Sequence, residues 1–316
     1  MSDTNKTALV LGATGGIGGS LTEQLLARGW TIRALTRDPA RAAKGRDSAI
    51  QWIQGDAMDR AAVVAAAEGC SLVVHAVNPP GYRDWDKLVL PMMDNAIAAA
   101  RAAGARVVLP GTVYNYGPDA FPVLRETSPQ QPVTRKGKIR VAMEQRLRES
   151  GVPALVVRAG DFFGGPSAAN NWFAQGLVKP GAPLKSVSQP GRRGLGHAWA
   201  YLPDLAEAMA ELVEKTPAEG FQLYHFAGHF DASGEDMVQA IRKATGRAVK
   251  VNAFPWPVVM LLSPFVALFR EMREMRYLWK EPLRLDNAKL VGALGREPHT
   301  PLDQAVKTTL RQLKCV

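Results

Sequence analysis

Cysteine is nearly absent from the chain. Cys70 and Cys315 are the only two, and neither stands in a CxxC pair or a metal-ligand spacing. That excludes a disulfide framework and a structural zinc site, and free thiols in a reducing, cytoplasmic setting are the simplest reading. No metal is expected. Long apolar runs are missing as well: the longest, PVVMLLSPFVALF at 257–269, is too short to span a bilayer and is interrupted by Pro264. No membrane span is expected. The opening MSDTNKTALVLG is polar before it enters a strand and lacks the shape of a signal peptide. No helix-turn-helix, zinc-finger or single-strand-binding signature accompanies the scattered Lys and Arg, so no nucleic-acid partner is expected. The formal charge of +10 then reads as a solvated basic surface compatible with acidic small ligands.

What is present suits a globular enzyme. The 316 residues are 47% hydrophobic and 22% charged, enough for one large domain or two modest ones. In the first half, apolar runs alternate with helix-like segments. The strand candidates are 7–13, 31–37, 50–56, 71–77, 105–111 and 154–160. Near-continuous apolar runs are typical of strands buried on both faces, and repeated strand–helix units imply a doubly wound parallel α/β sheet with right-handed crossovers. Residues 164–196 are rich in Gly, Pro and Asn and read as loops. Beyond them come a helix at PDLAEAMAELVEK, a strand at GFQLYHFAG and short helices, two with capped-looking starts at Ser233 and at Thr300-Pro301. Residues 1–164 and 193–228 are assigned to a dinucleotide-binding Rossmann domain. Residues 165–192 and 229–316 are assigned to a small substrate-binding lobe. In that lobe REMREMRYLWK, a basic amphipathic segment compatible with a membrane surface, is expected to cover a pocket.

The strongest signal is LVLGATGGIGGSLTEQLLARG. Gly12, Gly15 and Gly18 follow a strand directly and lead into an amphipathic helix. Glycines so spaced permit a tight turn, close backbone approach to a pyrophosphate and close helix–strand packing, with the helix N-terminus facing the anion. Thr14, Gly15, Gly16 and Ile17 share that loop.

GATGGIGG resembles the glycine motif of the extended short-chain dehydrogenase/reductase family, which includes the NAD-dependent epimerases and dehydratases. The resemblance covers about two-thirds of the chain. IQGDAMD resembles the turn that meets the adenine, which implies contacts from Asp56 and Ala57. VVHAVNP resembles the segment along which the cofactor lies, implying Ala76, Val77 and Asn78. PGTVYNYGP resembles the segment of the catalytic serine or threonine, here Thr112. RAGDFFGGP resembles the segment beside the nicotinamide, with Asp161 where the family has Asn, and AYLPDLAEA resembles the family's H-V-x-D-x-A-x-A.

Cofactor choice is set at the end of the second strand. An NAD-selective site places a carboxylate there for the ribose 2′-hydroxyl. Here Thr36 is followed by Arg37, which can pair with a 2′-phosphate, so NADP(H) is favoured over NAD(H). A surface arginine paired with Asp38 is the alternative.

The chain departs from the family at its Y-x-x-x-K motif. Counting back from Glu144, Lys136 fills the tyrosine position and Arg140 the lysine position. TRKGKIRVAME instead resembles the helix start of isoflavone-reductase-like and NmrA-like members, which implies a catalytic lysine or NADP binding without turnover. A cationic helix start asks for an anion, because the helix dipole already makes that end positive. Cofactor phosphates or a developing substrate oxyanion are the candidates, and a solvated basic helix is the alternative. Tyr114 and Tyr116 are substitute acids or packing aromatics. Asp161 is a partly buried carboxylate or a turn cap. His197 stands where nucleotide-sugar members carry an arginine. Trp172, Phe173, Trp199, Phe254, Trp256, Phe265 and Trp279 are candidates to line an apolar ligand site or to fill the core.

The resulting expectation is an NADP(H)-dependent oxidoreductase acting on a small, apolar carbonyl or enone. Lys136, Thr112 and Tyr114 would stabilise the oxyanion, and a homodimer is the assembly considered. An NmrA-like NADP sensor without turnover and an epimerase or dehydratase with a non-tyrosine base are the alternatives.

Overall fold

The computed structural model describes residues 5–79, 84–167 and 171–316. The strands, in chain order, are β1 (Thr7–Leu11), β2 (Thr31–Thr36), β3 (Ile50–Gln54), β4 (Leu72–His75), β5 (Arg106–Thr112), β6 (Val123–Leu124) and β7 (Ala154–Ala159). There follow β8 (Asp161–Phe163), β9 (Ser186–Gln189), β10 (His197–Tyr201), β11 (Phe221–His225), β12 (His229–Asp231), β13 (Lys250–Ala253) and β14 (Arg284–Leu285). The helices are α1 (Gly16–Ala27), α2 (Pro39–Ala42), α3 (Arg60–Ala66), α4 (Trp85–Ala103), α5 (Arg135–Glu149) and α6 (Leu202–Lys215). The last five are α7 (Asp236–Thr245), α8 (Trp256–Leu262), α9 (Ala267–Met275), α10 (Ala288–Leu294) and α11 (Leu302–Gln312).

Seven parallel strands form the central sheet in the order β11-β7-β5-β4-β1-β2-β3. Each apolar run read as a strand is one, with bounds that differ by a residue or two; β5 is shifted by one and runs on to Thr112. β4, β5 and β7 are buried along their whole length, as strands covered on both faces must be. The order reverses between β1 and β4, which places the β1–α1 turn at the topological switch point where open parallel sheets bind ligands.

Contact density divides the chain into two compact units. The first comprises 1–111, 139–158 and 206–224, and the second 112–138, 159–205 and 225–316. The assignment of a nucleotide-binding and a substrate-binding part is a functional division and remains a proposal. In the first unit, Leu9, Leu11, Val73 and Val107 of the sheet pack with Trp85, Val89 and Met93 of α4 and with Ile139, Met143 and Leu147 of α5. The other stripe of α5 is not a solvated face: Arg140 and Glu144 are buried too, and Glu144 holds the fully buried Arg158 of β7 at 2.5 Å.

The second unit is built from small sheets, β12-β10-β8, β13-β9 and β14-β6, with α7 packed on α11. Its core includes Tyr116, Phe163, Phe173, Trp199, Ile241 and Leu310. The stretch expected to be loop holds β9 and a π-helical turn at Phe173–Leu177, because buried Phe173 and Leu177 anchor it; residues 168–170 of that expectation lie outside the described residues. The two expected caps are also corrected. At α7 the amide of Met237 donates to Asp231, while Ser233 accepts from Glu235 N. At α11 Thr300 donates its hydroxyl to buried Asp204 instead of capping the helix. Among the described residues no helix is long and apolar enough to cross a membrane.

Candidate cofactor and substrate sites

The glycines of the first turn are required by steric contact. Gly12 has φ +95°, and a Cβ there would lie 2.5 Å from the carbonyl oxygen of Ala76. A Cβ on Gly18 would lie 2.2 Å from the carbonyl oxygen of Gly12. No side chain fits at either place. Gly15 is less constrained inside the fold: its backbone is extended, its amide donates to Gly12 O at 2.9 Å, and a Cβ would stand 3.2 Å from that oxygen. Helix α1 starts at Gly16 without a capping side chain, so its first amides and its positive dipole end remain for an anion. Gly12 thus lies against Ala76 and Val77, and this bare cradle fits the pyrophosphate of a dinucleotide. Thr14 is exposed at the turn, and its carbonyl oxygen accepts from Arg46 at 3.4 Å.

Arg37 is exposed at the end of β2 and makes no ion pair among the described residues; Asp38 instead caps α2 through Arg41 N. Asp56 accepts from Met58 N at 3.0 Å, and the carbonyl of Ala57 accepts from the Asn95 amide at 2.9 Å. Asn78 is exposed, and its Oδ1 accepts from Nη2 of Arg140 at 3.4 Å. The Arg140 guanidinium also lies 5.2 Å from the ring centroid of Trp85. From sequence Arg140 fills the lysine position of the motif and is expected to support the face of Lys136; here it is buried and reaches Asn78. Beside it, burial and then the Arg140 charge push buried His75 down to about 3.

In the second unit, Thr112 is nearly buried and its hydroxyl accepts from Tyr114 N at 3.3 Å. A Cβ on Gly137 would lie 2.3 Å from Tyr114 O, so the first turn of α5 packs directly on this segment. Lys136 is only 1% exposed. Its ammonium lies 2.7 Å from Oε2 of Glu271, donates to Glu271 O at 3.2 Å, and is 4.0 Å from Glu274. Its backbone amide donates to Glu274 at 2.8 Å. The anions facing the cationic helix start are therefore carboxylates of α9, and the solvated-helix alternative is corrected by this burial. Burial draws the lysine below its ordinary range, and Glu271 partly offsets it. Tyr116 is in the core, its hydroxyl 2.8 Å from His225 Nε2.

Asp161 is buried and lies 2.8 Å from Nε2 of His197. The imidazole stacks on Trp279, with centroids 3.7 Å apart. His197, Trp199 and Trp279 line a small pocket of about 20 Å³, room for little more than a water molecule, with Leu177, Val187, Leu195, Met237 and Val238 among its other walls. Of the aromatics named from sequence, Trp199 and Trp279 face this pocket. Trp172, Phe254 and Trp256 cluster with one another, Phe173 is fully buried, and Phe265 is exposed to solvent. The Asp161–His197 pair was missed because its partners stand 36 residues apart.

Comparison with known proteins gives a consistent result. Residues 12–185, more than half of the chain, match the NAD(P)H-binding family model. A 3-diazoavenalumate denitrifying reductase from Streptomyces is 33% identical over 174 residues, 49% of this chain and 56% of that protein. Cinnamoyl-CoA reductase 1 of Oryza sativa subsp. japonica is 33% identical over 133 residues, 37% of this chain and 39% of that one. The chain thus spans about half or less of the length of these curated relatives. The solved structure of a putative epimerase from Burkholderia cenocepacia J2315 superposes with a TM-score of 0.76 at 19% identity, covering 99% of each chain, which shows the fold. With its glycine turn at the switch point of a seven-stranded parallel sheet, the chain belongs to the NAD(P)H-binding Rossmann family of the extended short-chain dehydrogenase/reductase superfamily.

Proposed function

We propose that the protein is an NADP(H)-dependent oxidoreductase that reduces a small, apolar carbonyl or enone. Support for the substrate class comes from the apolar walls Leu177, Trp199, Met237, Val238 and Trp279 of the small pocket, which a substrate would have to widen on binding. Gly12 to Gly18 would hold the pyrophosphate, with Asp56, Ala57, Ala76, Val77 and Asn78 along the adenosine and ribose and Asp161 towards the nicotinamide. Arg37 would pair with the 2′-phosphate. The bound dinucleotide supplies the hydride. The hydroxyls of Thr112 and Tyr114 would then donate to the oxygen that gains charge. Lys136, held by Glu271 and Glu274, would fix the first turn of α5, whose Gly137 packs on the Thr112–Tyr114 segment. The relatives' names are those of reductases, which supports reduction over epimerisation.

The cofactor-sensing alternative draws on one observation: the Lys136 ammonium is already engaged by Glu271. The readings separate in one assay, the oxidation of NADPH and of NADH across a panel of apolar ketones, aldehydes and enones. Steady turnover with NADPH supports the enzyme. Tight NADPH binding with no turnover on any member supports the sensor.

A further inference from the structure

Seven of the eleven large apolar side chains left exposed among the described residues fall between positions 258 and 268. They are not scattered, as single exposed apolar residues usually are. Helices α8 and α9 pack on each other and are joined by the turn at Ser263–Val266. Phe265 is 84% exposed and Leu261 74%, with Val258, Met260 and Leu268 around them. The turn is well ordered. Val266 N donates to Leu262 O at 2.9 Å, buried Ser263 donates to Met260 O at 2.9 Å, and Arg273 of α9 donates to the Ser263 hydroxyl at 3.1 Å. A built turn therefore holds an apolar tip in water.

The exposed charges of α9 have one sign. Arg270 and Arg273 are exposed, and Arg276 lies 5.3 Å from the Trp256 ring centroid at the start of α8. The acids of α9 do not face outward with them: Glu271 and Glu274 are turned to Lys136. Lys280 and Glu281, both exposed, follow at the far end. The rim of arginines around the apolar tip complements an anionic surface. A tip of this kind suits the boundary between headgroups and acyl chains, where apolar residues enter and arginines remain among the phosphates.

We propose that the α8–α9 hairpin is a membrane-surface anchor that inserts Leu261 and Phe265 into the headgroup boundary of an anionic bilayer. The protein lies on the membrane and does not cross it. The proposal concerns a surface apart from the proposed reaction and does not depend on it.

Flotation of the full chain with vesicles tests this, comparing phosphatidylcholine alone with an equal mixture of phosphatidylcholine and phosphatidylglycerol. Binding to the anionic vesicles, weakened by added salt, is expected. Leu261→Ser/Phe265→Ser should lose at least about tenfold in vesicle affinity, as expected from removing two inserted apolar side chains. Both sites are exposed, so an unchanged melting temperature confirms that the variant is folded. Arg270→Glu should lose several-fold on anionic vesicles. Wild type that fails to float with anionic vesicles overturns the proposal, as does a double variant that floats as well as wild type. A wild-type dimer that Phe265→Ser dissociates, without vesicle binding, assigns the face to a second copy of the chain instead.

Discussion

The ammonium of Lys136 and a carboxylate oxygen of Glu271 stand 2.7 Å apart, both side chains buried, although 135 positions separate them in sequence. Removing one partner strands a charge away from water. Lys136→Met should therefore lower unfolding free energy by about 3 kcal/mol. The double variant Lys136→Met/Glu271→Leu should recover much of that loss, leaving Glu274 near the site. Denaturant titration of the single and double variants checks this, and additive losses would contradict it.

At the glycine turn, position should matter more than residue type. Gly18→Ala forces a Cβ to within 2.2 Å of Gly12 O and should cost both stability and NADPH affinity. Gly15→Ala meets only a 3.2 Å contact and should stay folded, whereas Gly15→Val should keep the fold and block the pyrophosphate. Calorimetric titration with NADPH, with a melting curve beside it, separates the two kinds of loss.

Arg37 is exposed and makes no ion pair among the described residues, so its removal should leave the fold intact. Arg37→Asp replaces attraction for a 2′-phosphate with repulsion. A charged hydrogen bond contributes about 1.5–3 kcal/mol, so the ratio of NADPH to NADH dissociation constants should move towards NADH by tenfold or more. Equal affinity of the wild type for both cofactors would remove the basis for this.

Acid should weaken the protein through its histidines. His75 is held down to about 3 and His229 to about 4, against an ordinary value of 6.5, burial being the larger cause in each. Between those values and 6.5 the unfolded chain binds protons that the folded chain refuses. Their stability contribution is therefore intact above about pH 6.5 and is lost as pH falls through that window. His75→Asn removes one titrating group, so the slope of stability against pH from 6.5 down to about 4 should flatten, measured by urea titration at each pH.

The strands of the central sheet were legible because burial on both faces leaves few polar residues in them, as in LVVH of β4 and ALVVRA of β7. The glycine turn was legible because its spacing encodes a local steric demand. Long-range pairings were not. TRKGKIRVAME announces a need for an anion but not that Glu271 and Glu274 supply it, and Asp161 gives no sign of His197. The caps at Ser233 and Thr300 were misread for the same reason: the amide of Met237 donates to the carboxylate of Asp231, and the Thr300 hydroxyl donates to Asp204, neither visible in local sequence.

The strand order also has a history in time. β1 to β5 are complete by Thr112 and form a contiguous block of the sheet, and β7 extends it at Ala154–Ala159. The strand that covers β7, β11, begins only at Phe221. A ribosome adds about 5–20 residues per second, so on the order of several seconds pass between the two. Throughout that interval the nascent chain carries an unpaired edge whose six residues are all buried in the finished fold. Translation pauses between 160 and 220 would prolong the interval in which that edge can pair with a neighbouring chain.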